Sequence, residues 1–584
     1  MGKLRRLNFF RSFILSRFPL AIVAGLLLAA SFPKLGIAGF AWIAPGLIFA
    51  IAAGQSGKQT FRIGYAAGMA HYLASLDWLL LIPVRGAPIL GWLALSAYLA
   101  LYPATWVWLI SRVSNSKFQI PSPDASKKFP LAEAICSSSW GQRTLWAISG
   151  AAIWVALEMM QARFLSGFPW NLLGTSQHKI LPLIQIASLT GVYGVSFLVV
   201  WFSLSLVCAV MVIIQRPTMR SAWIGEVILP LLVAGVTFGF GYHRIMQPSV
   251  PGRELKIVLV QPSIPQTLIW DAKESTNRFQ QLLRLSEQAL TNKPEVLIWP
   301  EAAVPNLLRW HKETYQAVTD LARSHKVWMI IGADDAEPRR NTPNPNDADY
   351  FNSSFLVSPE GQIAKSYRKR LLVVFGEYIP LVRWLPFLKY FTPIEEGGFT
   401  PGDRPVPFEM DRWGERPREP SDGRSGLTAG SSPGVLPHQK VKTSVLICFE
   451  DNFPHAVREY VDEDTDFLVN LTNNGWFGEG AAQWQHAANA LFRAVENGLP
   501  LVRCTNNGLT CWVDAHGRLR DIFGLDSGNV YGAGFVTIRV PLLPPGQKRG
   551  PTFYHEHGDW FGWGCVAVAA LSLLLQLARR RVTV

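Results

Sequence analysis

The sequence predicts a two-part fold: an α-helical membrane bundle of eight transmembrane helices, and an α/β layered sandwich domain inserted before the last helix. Only 17% of the 584 residues are charged, so part of the chain is expected to avoid water. Windows of about 20 apolar residues, the length that crosses a bilayer, recur over the first 246 residues and once near the C-terminus. Between 247 and 559 no such window occurs, and short strand and helix patterns alternate instead.

The basic residues orient the predicted spans. The spans lie near residues 18–34, 36–54, 62–83, 86–111, 144–162, 184–214, 224–246 and 560–578. Lys and Arg gather before the first span and after the second, fourth, sixth and eighth, whereas the opposite loops carry few. Because basic loops are retained in the cytoplasm, both termini are expected there and residues 247–559 outside. A cleaved signal peptide is the alternative for the first span, but no A-x-A-like site follows Phe32-Pro33.

Net charge and cysteine count exclude two other classes. The formal charge of +13 raises the question of nucleic acid, but the basic residues cluster beside apolar segments and no binding module accompanies them. Six cysteines over this length do not make a disulfide scaffold. Cys504 and Cys511 are close enough in sequence to face each other across a hairpin, and the sequence leaves open whether they pair.

Residues 247–559 alternate between strand and helix signals. Apolar strands flanked by amphipathic helices are typical of a layered α/β sandwich. Strands are predicted at 255–260, 295–299, 327–332, 353–358, 444–448, 466–471, 500–505 and 510–513, and helices at 273–292, 311–325 and 483–497. Residues 411–440 contain almost no large apolar side chains and are predicted to be a disordered surface insertion. The chain therefore divides into helices 1–7 (1–246), the outer domain (247–559), and the eighth helix with a basic tail (560–584).

Three residues of different chemistry each stand at the end of an apolar or β-prone run. Glu301 comes after Trp299-Pro300, Lys369 after Tyr367-Arg368, and Cys448 after the apolar run 443–447. Taken singly, each has an ordinary interpretation: a turn carboxylate, a solvated lysine and a packed thiol. Together, a carboxylate, an ammonium and a thiol at three strand ends are the functional groups that acyl transfer through a thioester requires.

The chemistry of this trio is coherent from the residues alone. A free thiol has a pKa near 8.5 and is little ionised at neutral pH. A neighbouring ammonium is expected to lower that pKa, and a carboxylate can accept the proton during attack. The same ammonium can stabilise an oxyanion. No metal ligand cluster with zinc spacing is present in the sequence, so no metal or cofactor is predicted.

Seven short segments carry a resemblance to a known family. They are residues 167–170, 260–266 with Trp270, 299–305, 367–380, 447–450, 473–478 and 503–508. In chain order, Glu, Lys and Cys resemble the site of the nitrilase superfamily, and the surrounding motifs are similar to those of the apolipoprotein N-acyltransferases. That family also has eight spans, with a nitrilase-like αββα domain before the last, so the resemblance extends over nearly the whole chain.

The resemblance implies a role for each matching residue. Cys448 is the implied nucleophile, Glu301 the general base and Lys369 the oxyanion stabiliser. Glu377 and Glu450 are implied supporting carboxylates, and Trp270, Trp476 and Phe449 substrate-pocket aromatics. Two positions depart from the family pattern: Val374 stands where proline is usual, and Phe449 where tyrosine is common, which removes a hydroxyl beside the nucleophile.

The implied activity is N-acylation of lipoproteins in the bacterial cytoplasmic membrane. The acyl donor is a phospholipid, and the acceptor is the α-amino group of an N-terminal diacylglyceryl-cysteine on an apolipoprotein. Two alternatives stay open: a membrane-tethered amidase that hydrolyses a small amide, and a transporter or scaffold whose outer domain only binds. Two interpretations of the loop 166–174 also stay open. It is either a re-entrant or lipid-facing turn, or an interfacial aromatic anchor.

Overall fold

The computed structural model describes most of the chain. The described residues are 17–83, 88–113, 135–216, 218, 223–247, 253–269, 271–339, 347–380, 382, 384–385, 387, 398–412, 439–544 and 547–582. Trp270 lies outside them, as does the predicted insertion 411–440 apart from its two ends.

The N-terminal part is helical, and two of its helices begin at side-chain caps. Its helices are α1 Arg17–Ala30, α2 Ala44–Ala52, α3 Gly57–Ser75, α4 Pro88–Leu99, α5 Leu101–Ile110, α6 Trp140–Gln161, α7 Leu181–Ile184, α8 Ala187–Thr190, α9 Val192–Gln215 and α10 Ile224–Met246. Ser139 caps α6 in a capping box with Gln142, and Ser56 accepts a hydrogen bond from the Gln59 amide at the start of α3. These caps satisfy amides that would otherwise lack partners at the helix ends.

Four helical stretches among the described residues are long and apolar enough to cross a membrane. They are Pro88–Ile110, Val192–Gln215, Ile224–Met246 and Trp560–Ala578. Shorter apolar helices occupy Arg17–Ala30, Ala38–Ala52 and Leu181–Thr190. The predicted spans at 62–83 and 144–162 correspond to α3 and α6, which are helical but carry more polar residues. Eight helical segments therefore stand where eight spans were predicted, and four of them meet the length and apolarity of a span.

The outer domain contains two six-stranded sheets. Its strands are β1 Glu254–Gln261, β2 Val296–Ile298, β3 Trp328–Pro338, β4 Ala348–Val357, β5 Ile363–Arg368, β6 Pro407–Arg412, β7 Gln439–Ile447, β8 Phe467–Thr472, β9 Leu501–Thr505, β10 Cys511–Val513, β11 Leu519–Arg520 and β12 Gly534–Pro541. The first sheet has the order β12-β1-β2-β3-β4-β5 and the second β11-β10-β9-β8-β7-β6. Each has a central parallel trio, β1-β2-β3 or β7-β8-β9, extended on both sides by antiparallel strands.

Helices cover the outer faces of the two sheets. The helices of this part and of the C-terminus are α11 Gln266–Ile269, α12 Ser275–Leu290, α13 Lys312–His325, α14 Pro454–Val457, α15 Ala481–Asn497, α16 Phe553–His557 and α17 Trp560–Val582. Val258 and Leu297 of the first sheet pack with Phe279 of α12 and Val318 of α13. Leu259 and Ile298 point the other way and join a core with Ile447 and Leu471 of the second sheet. The layers are therefore α/β/β/α, as predicted.

Gln485 of α15 links the sandwich to the helical part. Its Oε1 accepts hydrogen bonds from the indole nitrogens of Trp78 (3.1 Å) and Trp170 (2.7 Å), and its Nε2 donates to the carbonyls of Pro33 (2.6 Å) and Ser75 (3.0 Å). Gln485 is buried, so its four hydrogen bonds are shielded from water. The helix that carries Gln485 is thus held against three separate segments of the membrane part.

The predicted elements of the outer domain are confirmed, with boundary shifts, and four strands were missed. β5, β6, β11 and β12 were not predicted: β11 has only two residues, whereas β12 alternates buried and exposed residues over 538–541 and was overlooked. Cys504 and Cys511 are not disulfide-bonded. The β9–β10 register pairs Cys511 with Arg503, which places Cys504 on the opposite face of the sheet.

Candidate active site

The two sheets bring the three predicted residues to one place. Glu301 lies three residues beyond β2, Lys369 directly follows β5, and Cys448 directly follows β7. All three are buried, with 7%, 1% and 8% of their surface exposed. Lys369 and Cys448 interact electrostatically with each other and with Glu301, so the carboxylate, ammonium and thiol share one buried site.

Two carboxylates contact the ammonium group, and further donors hold them in place. Lys369 Nζ lies 3.2 Å from Glu301 Oε1 and 2.8 Å from Glu377 Oε1. Asn352 Nδ2 donates to the same two oxygens, at 2.8 and 2.9 Å. Backbone amides complete the set, because Asn473 N donates to Glu301 Oε2 (2.9 Å) and Val373 N to Glu377 Oε2 (2.8 Å). Each carboxylate therefore accepts hydrogen bonds at both of its oxygens. These bonds hold it in one orientation, as a preorganised site requires.

The electrostatics of the site differ from the expectation at one point. Burial opposes the charge on Lys369, but Glu301 and Glu377 outweigh it and raise the pKa of this lysine well above its ordinary value. Burial, followed by the Glu301 carboxylate, raises the pKa of Cys448, and the lowering by Lys369 does not compensate. Lys369 does lower the thiol pKa, as expected, but burial and Glu301 outweigh it, so the net shift is upward. The resting thiol is therefore protonated and requires a base during attack.

Cys448 adopts a strained backbone conformation. Its φ is +52°, in the left-handed region that non-glycine residues rarely occupy. The Cys448 carbonyl accepts hydrogen bonds from Asn470 Nδ2 (3.0 Å) and His486 Nε2 (3.2 Å). The backbone turns sharply here between β7 and the short helical turn Cys448–Asn452, and the two hydrogen bonds fix the carbonyl of this turn.

A buried charged network lies behind the nucleophile. His486 Nε2 also lies 2.7 Å from Asp451 Oδ1, and Arg503 Nη1 bonds Asp451 Oδ2. Since both neighbours of His486 Nε2 are acceptors, that nitrogen carries a proton and donates. All three side chains are buried. His486 is the residue after Gln485, so neighbouring positions of α15 contact the Cys448 turn and the membrane part.

Glu450 is held by five donors and does not contact the ammonium. Its oxygens accept from the amides of Ile447, Arg370 and Leu371 and from the hydroxyls of Tyr367 and Tyr460, at 2.7–3.3 Å. Burial raises the pKa of Glu450, and the amide donors oppose that rise. Glu450 therefore ties the strand end before Cys448 to the segment after Lys369.

The three aromatic residues predicted for the substrate pocket differ in where they lie. The Phe449 ring is half-buried and packs on Phe168 (5.8 Å between centroids) and Trp170 (6.2 Å). Trp476 is half-buried in the turn after Asn473. Trp270 lies outside the described residues. Trp170 is itself buried, so it does not face lipid. At Trp170 the loop 166–174 packs on the segment beside the nucleophile.

Sequence reasoning missed Asn352, Asn473 and His486. Asn352 and His486 lie inside a strand and a helix, where polar side chains carry no turn or strand-end signal. Asn473 belongs to a recognised motif, 473–478, but acts here through its backbone amide. The buried position of Asn352 opposite charged neighbours follows only from the strand register.

Comparison with known proteins identifies the family. Residues 24–205 match the model of the apolipoprotein N-acyltransferase N-terminal domain, and residues 256–527 match the carbon-nitrogen hydrolase model. An apolipoprotein N-acyltransferase of Geobacter metallireducens is 32% identical over 575 residues, which is 96% of each chain. The chain belongs to the apolipoprotein N-acyltransferase family. A second member, from Vibrio vulnificus, is 27% identical and covers 96% of this chain and 97% of its own.

Membership makes the chain an acyltransferase whose outer domain has the carbon-nitrogen hydrolase fold. Among solved structures, an amidase from Nesterenkonia sp. AN1, of the nitrilase superfamily, covers 50% of this chain and 94% of its own, at 15% identity and a TM-score of 0.33. Of the two departures from the family pattern, Val374 forms a bridge with Tyr378 within the turn that carries Glu377. Phe449 fills its position by ring packing, which needs no hydroxyl.

Proposed function

We propose that this chain N-acylates lipoproteins by a two-step transfer through a Cys448 thioester. A fatty acyl chain passes from a membrane phospholipid to the thiol, and then to the α-amino group of the N-terminal diacylglyceryl-cysteine of an apolipoprotein. The observation that carries the proposal is the buried Glu301–Lys369 pair beside Cys448, in a chain that matches the family from end to end. The reaction completes lipoprotein maturation.

In the first step the Cys448 sulfur attacks the carbonyl carbon of a phospholipid ester. Glu301 takes the thiol proton, which the raised pKa of Cys448 keeps on sulfur until attack. The Lys369 ammonium stabilises the oxyanion of the tetrahedral intermediate. The C–O bond to the glycerol then breaks, and Glu301 returns the proton to the leaving alkoxide. The products are the thioester and a lysophospholipid.

In the second step the amine of the acceptor attacks the thioester carbonyl. Glu301 accepts one proton from the attacking nitrogen, and Lys369 again faces the oxyanion. The C–S bond breaks, and the thiolate recovers its proton from Glu301. Glu377 supports this cycle by sharing the ammonium with Glu301, and Glu450 by holding the strand end before Cys448.

The placement of the chain in the membrane is part of the proposal. Eight spans, cytoplasmic termini and an extracytoplasmic domain at 247–559 are inferred from the apolar windows and basic loops of the sequence. A helical segment lies at each predicted span, which supports the number of spans but not their orientation. The inner membrane of a bacterium is the compartment we assign. In this arrangement Phe449 and Trp476 contribute an apolar wall for acyl chains, supported by the packing of Phe449 on Phe168 and Trp170. The family resemblance adds Trp270 as a substrate-binding residue.

The acceptor step separates this function from the amidase alternative. Detergent-solubilised enzyme is first loaded with a labelled phospholipid, and a diacylated lipopeptide with a free α-amino group is then added. We expect the label to leave the enzyme rapidly and to appear on the lipopeptide as an amide. The same lipopeptide with an acetylated amino group is the matched control, and it should leave the thioester intact.

Two outcomes would contradict the proposal. Loss of the label at the same rate with water alone would favour a hydrolase of the amidase type. Discharge by the acetylated lipopeptide would show that the amine is not the nucleophile.

A further inference from the structure

Asp334 is an acidic residue of the active-site face that the proposed reaction does not use. It lies on β3, directly opposite Asn352 of β4 in the antiparallel register. Side chains of directly opposed residues point to the same face, with Cβ atoms about 4.5–5.5 Å apart. Since Asn352 contacts Glu301 and Glu377, Asp334 faces the same site.

The orientation of the Asn352 amide is determined by its neighbours. Its Nδ2 has two hydrogens, and the two carboxylate oxygens of Glu301 and Glu377 each accept one. A flipped amide would place Oδ1 against two acceptors and is therefore excluded. Oδ1 must point away from the carboxylates, and it is buried without a hydrogen-bond donor.

Asp334 also has a carboxylate oxygen that lacks a hydrogen-bond partner. Its Oδ1 is also buried and without a hydrogen-bond partner. Its sequence neighbour Asp335, on the other face of the strand, is bonded by Arg309 and Arg368. One proton on Asp334 would supply a donor for Asn352 Oδ1, whereas an ionised Asp334 would set two acceptors against each other.

We propose that Asp334 is a positioning residue that holds a proton and donates it to Asn352 Oδ1, thereby fixing the Asn352 amide on Glu301 and Glu377. The proposal rests on the thioester function above and assigns Asp334 no contact with substrate. Its effect on the reaction passes through Asn352 to the general base.

The charges around Asp334 favour the protonated form. The groups that interact with it are Glu301, Glu377, Lys369 and Asp335. Burial, followed by Glu301 and Glu377, raises the pKa of Asp334 to about 7, and Lys369 opposes the rise. Below pH 7 the proton is therefore present, and it is lost as the pH rises through that value.

The test measures the first step alone as a function of pH. Full-length wild type, D334N and D334A are incubated with labelled phospholipid and no acceptor between about pH 5 and pH 9, and the rate of thioester formation is recorded. In wild type we expect the rate to fall as the pH rises through about 7. The amide of D334N donates at every pH, so this fall should disappear while the rate at low pH is kept.

D334A removes the donor without adding charge. We expect its rate to be about tenfold lower at all pH values, the size of one lost hydrogen bond, and to show no step near 7. D349N is the control, because Asp349 is on the same strand as Asn352 but pairs with Arg339 outside the site; it should keep the wild-type profile. A D334N profile with the wild-type fall, or a D334A rate equal to wild type, would overturn the inference. Absence of any adduct in wild type would instead overturn the proposed function.

Discussion

Replacing Lys369 by methionine is expected to lower the rate of thioester formation about 10³-fold or more. Methionine keeps the length and most of the volume of the side chain but removes the ammonium that faces the oxyanion, and a lost donor of this kind costs about 10²–10³-fold. The substitution also leaves the carboxylates of Glu301 and Glu377 without the cation between them. Their mutual repulsion then disturbs the base as well.

The measurement is the initial rate of label incorporation from a phospholipid, with K365M as the matched control. Lys365 is on the same strand, half-exposed, and pairs with Glu409 at the surface. Surface pairs of this kind contribute little, so K365M should have the wild-type rate. A K369M rate within tenfold of wild type would show that the ammonium is not needed at the oxyanion.

The second large effect is expected at Glu450, on stability. E450A leaves the amides of Ile447, Arg370 and Leu371 without an acceptor, and it leaves the hydroxyls of Tyr367 and Tyr460 with only each other as partners. An unsatisfied buried donor costs about 1–3 kcal/mol. We therefore expect the free energy of unfolding to fall by about 3 kcal/mol or more, measured by thermal denaturation of the detergent-solubilised protein.

The matched control for this loss is E409A. Glu409 is on β6 of the same sheet, exposed, and its partners Lys365 and Lys440 are half-exposed or exposed. This substitution should change stability by no more than about 0.5 kcal/mol. If E450A unfolds at the same temperature as E409A, the five hydrogen bonds of Glu450 do not stabilise the strand end before Cys448.

The strand ends explain why much of the site was predictable. Glu301, Lys369 and Cys448 each follow an apolar or β-prone run, and that pattern is visible in a linear sequence. The parallel trios then bring the ends of β2 and β7 to one edge of each sheet, which is a consequence of topology that the alternation of strands and helices already indicates. Eight of the twelve strands were therefore predictable, with ends that differ from the observed ones by up to six residues.

The residues that orient the site were not predictable in this way. Asp334 and Asn352 lie on different strands, and only the β3–β4 register shows that they are opposite each other. The burial of Cys448 and its proximity to Glu301 reverse the expected direction of its pKa shift. Both depend on how the two sheets pack. The four hydrogen bonds of Gln485 join segments more than 300 residues apart.

The central claim is that Cys448 carries the acyl group, and the most direct measurement is the mass of the protein after incubation with a phospholipid of known acyl chain and no acceptor. The account predicts one added acyl group per chain, located by peptide mapping on the peptide that contains Cys448 and removed by neutral hydroxylamine. It also predicts no such adduct in C448A. An acyl group on another residue, or an adduct that persists in C448A, would contradict the account.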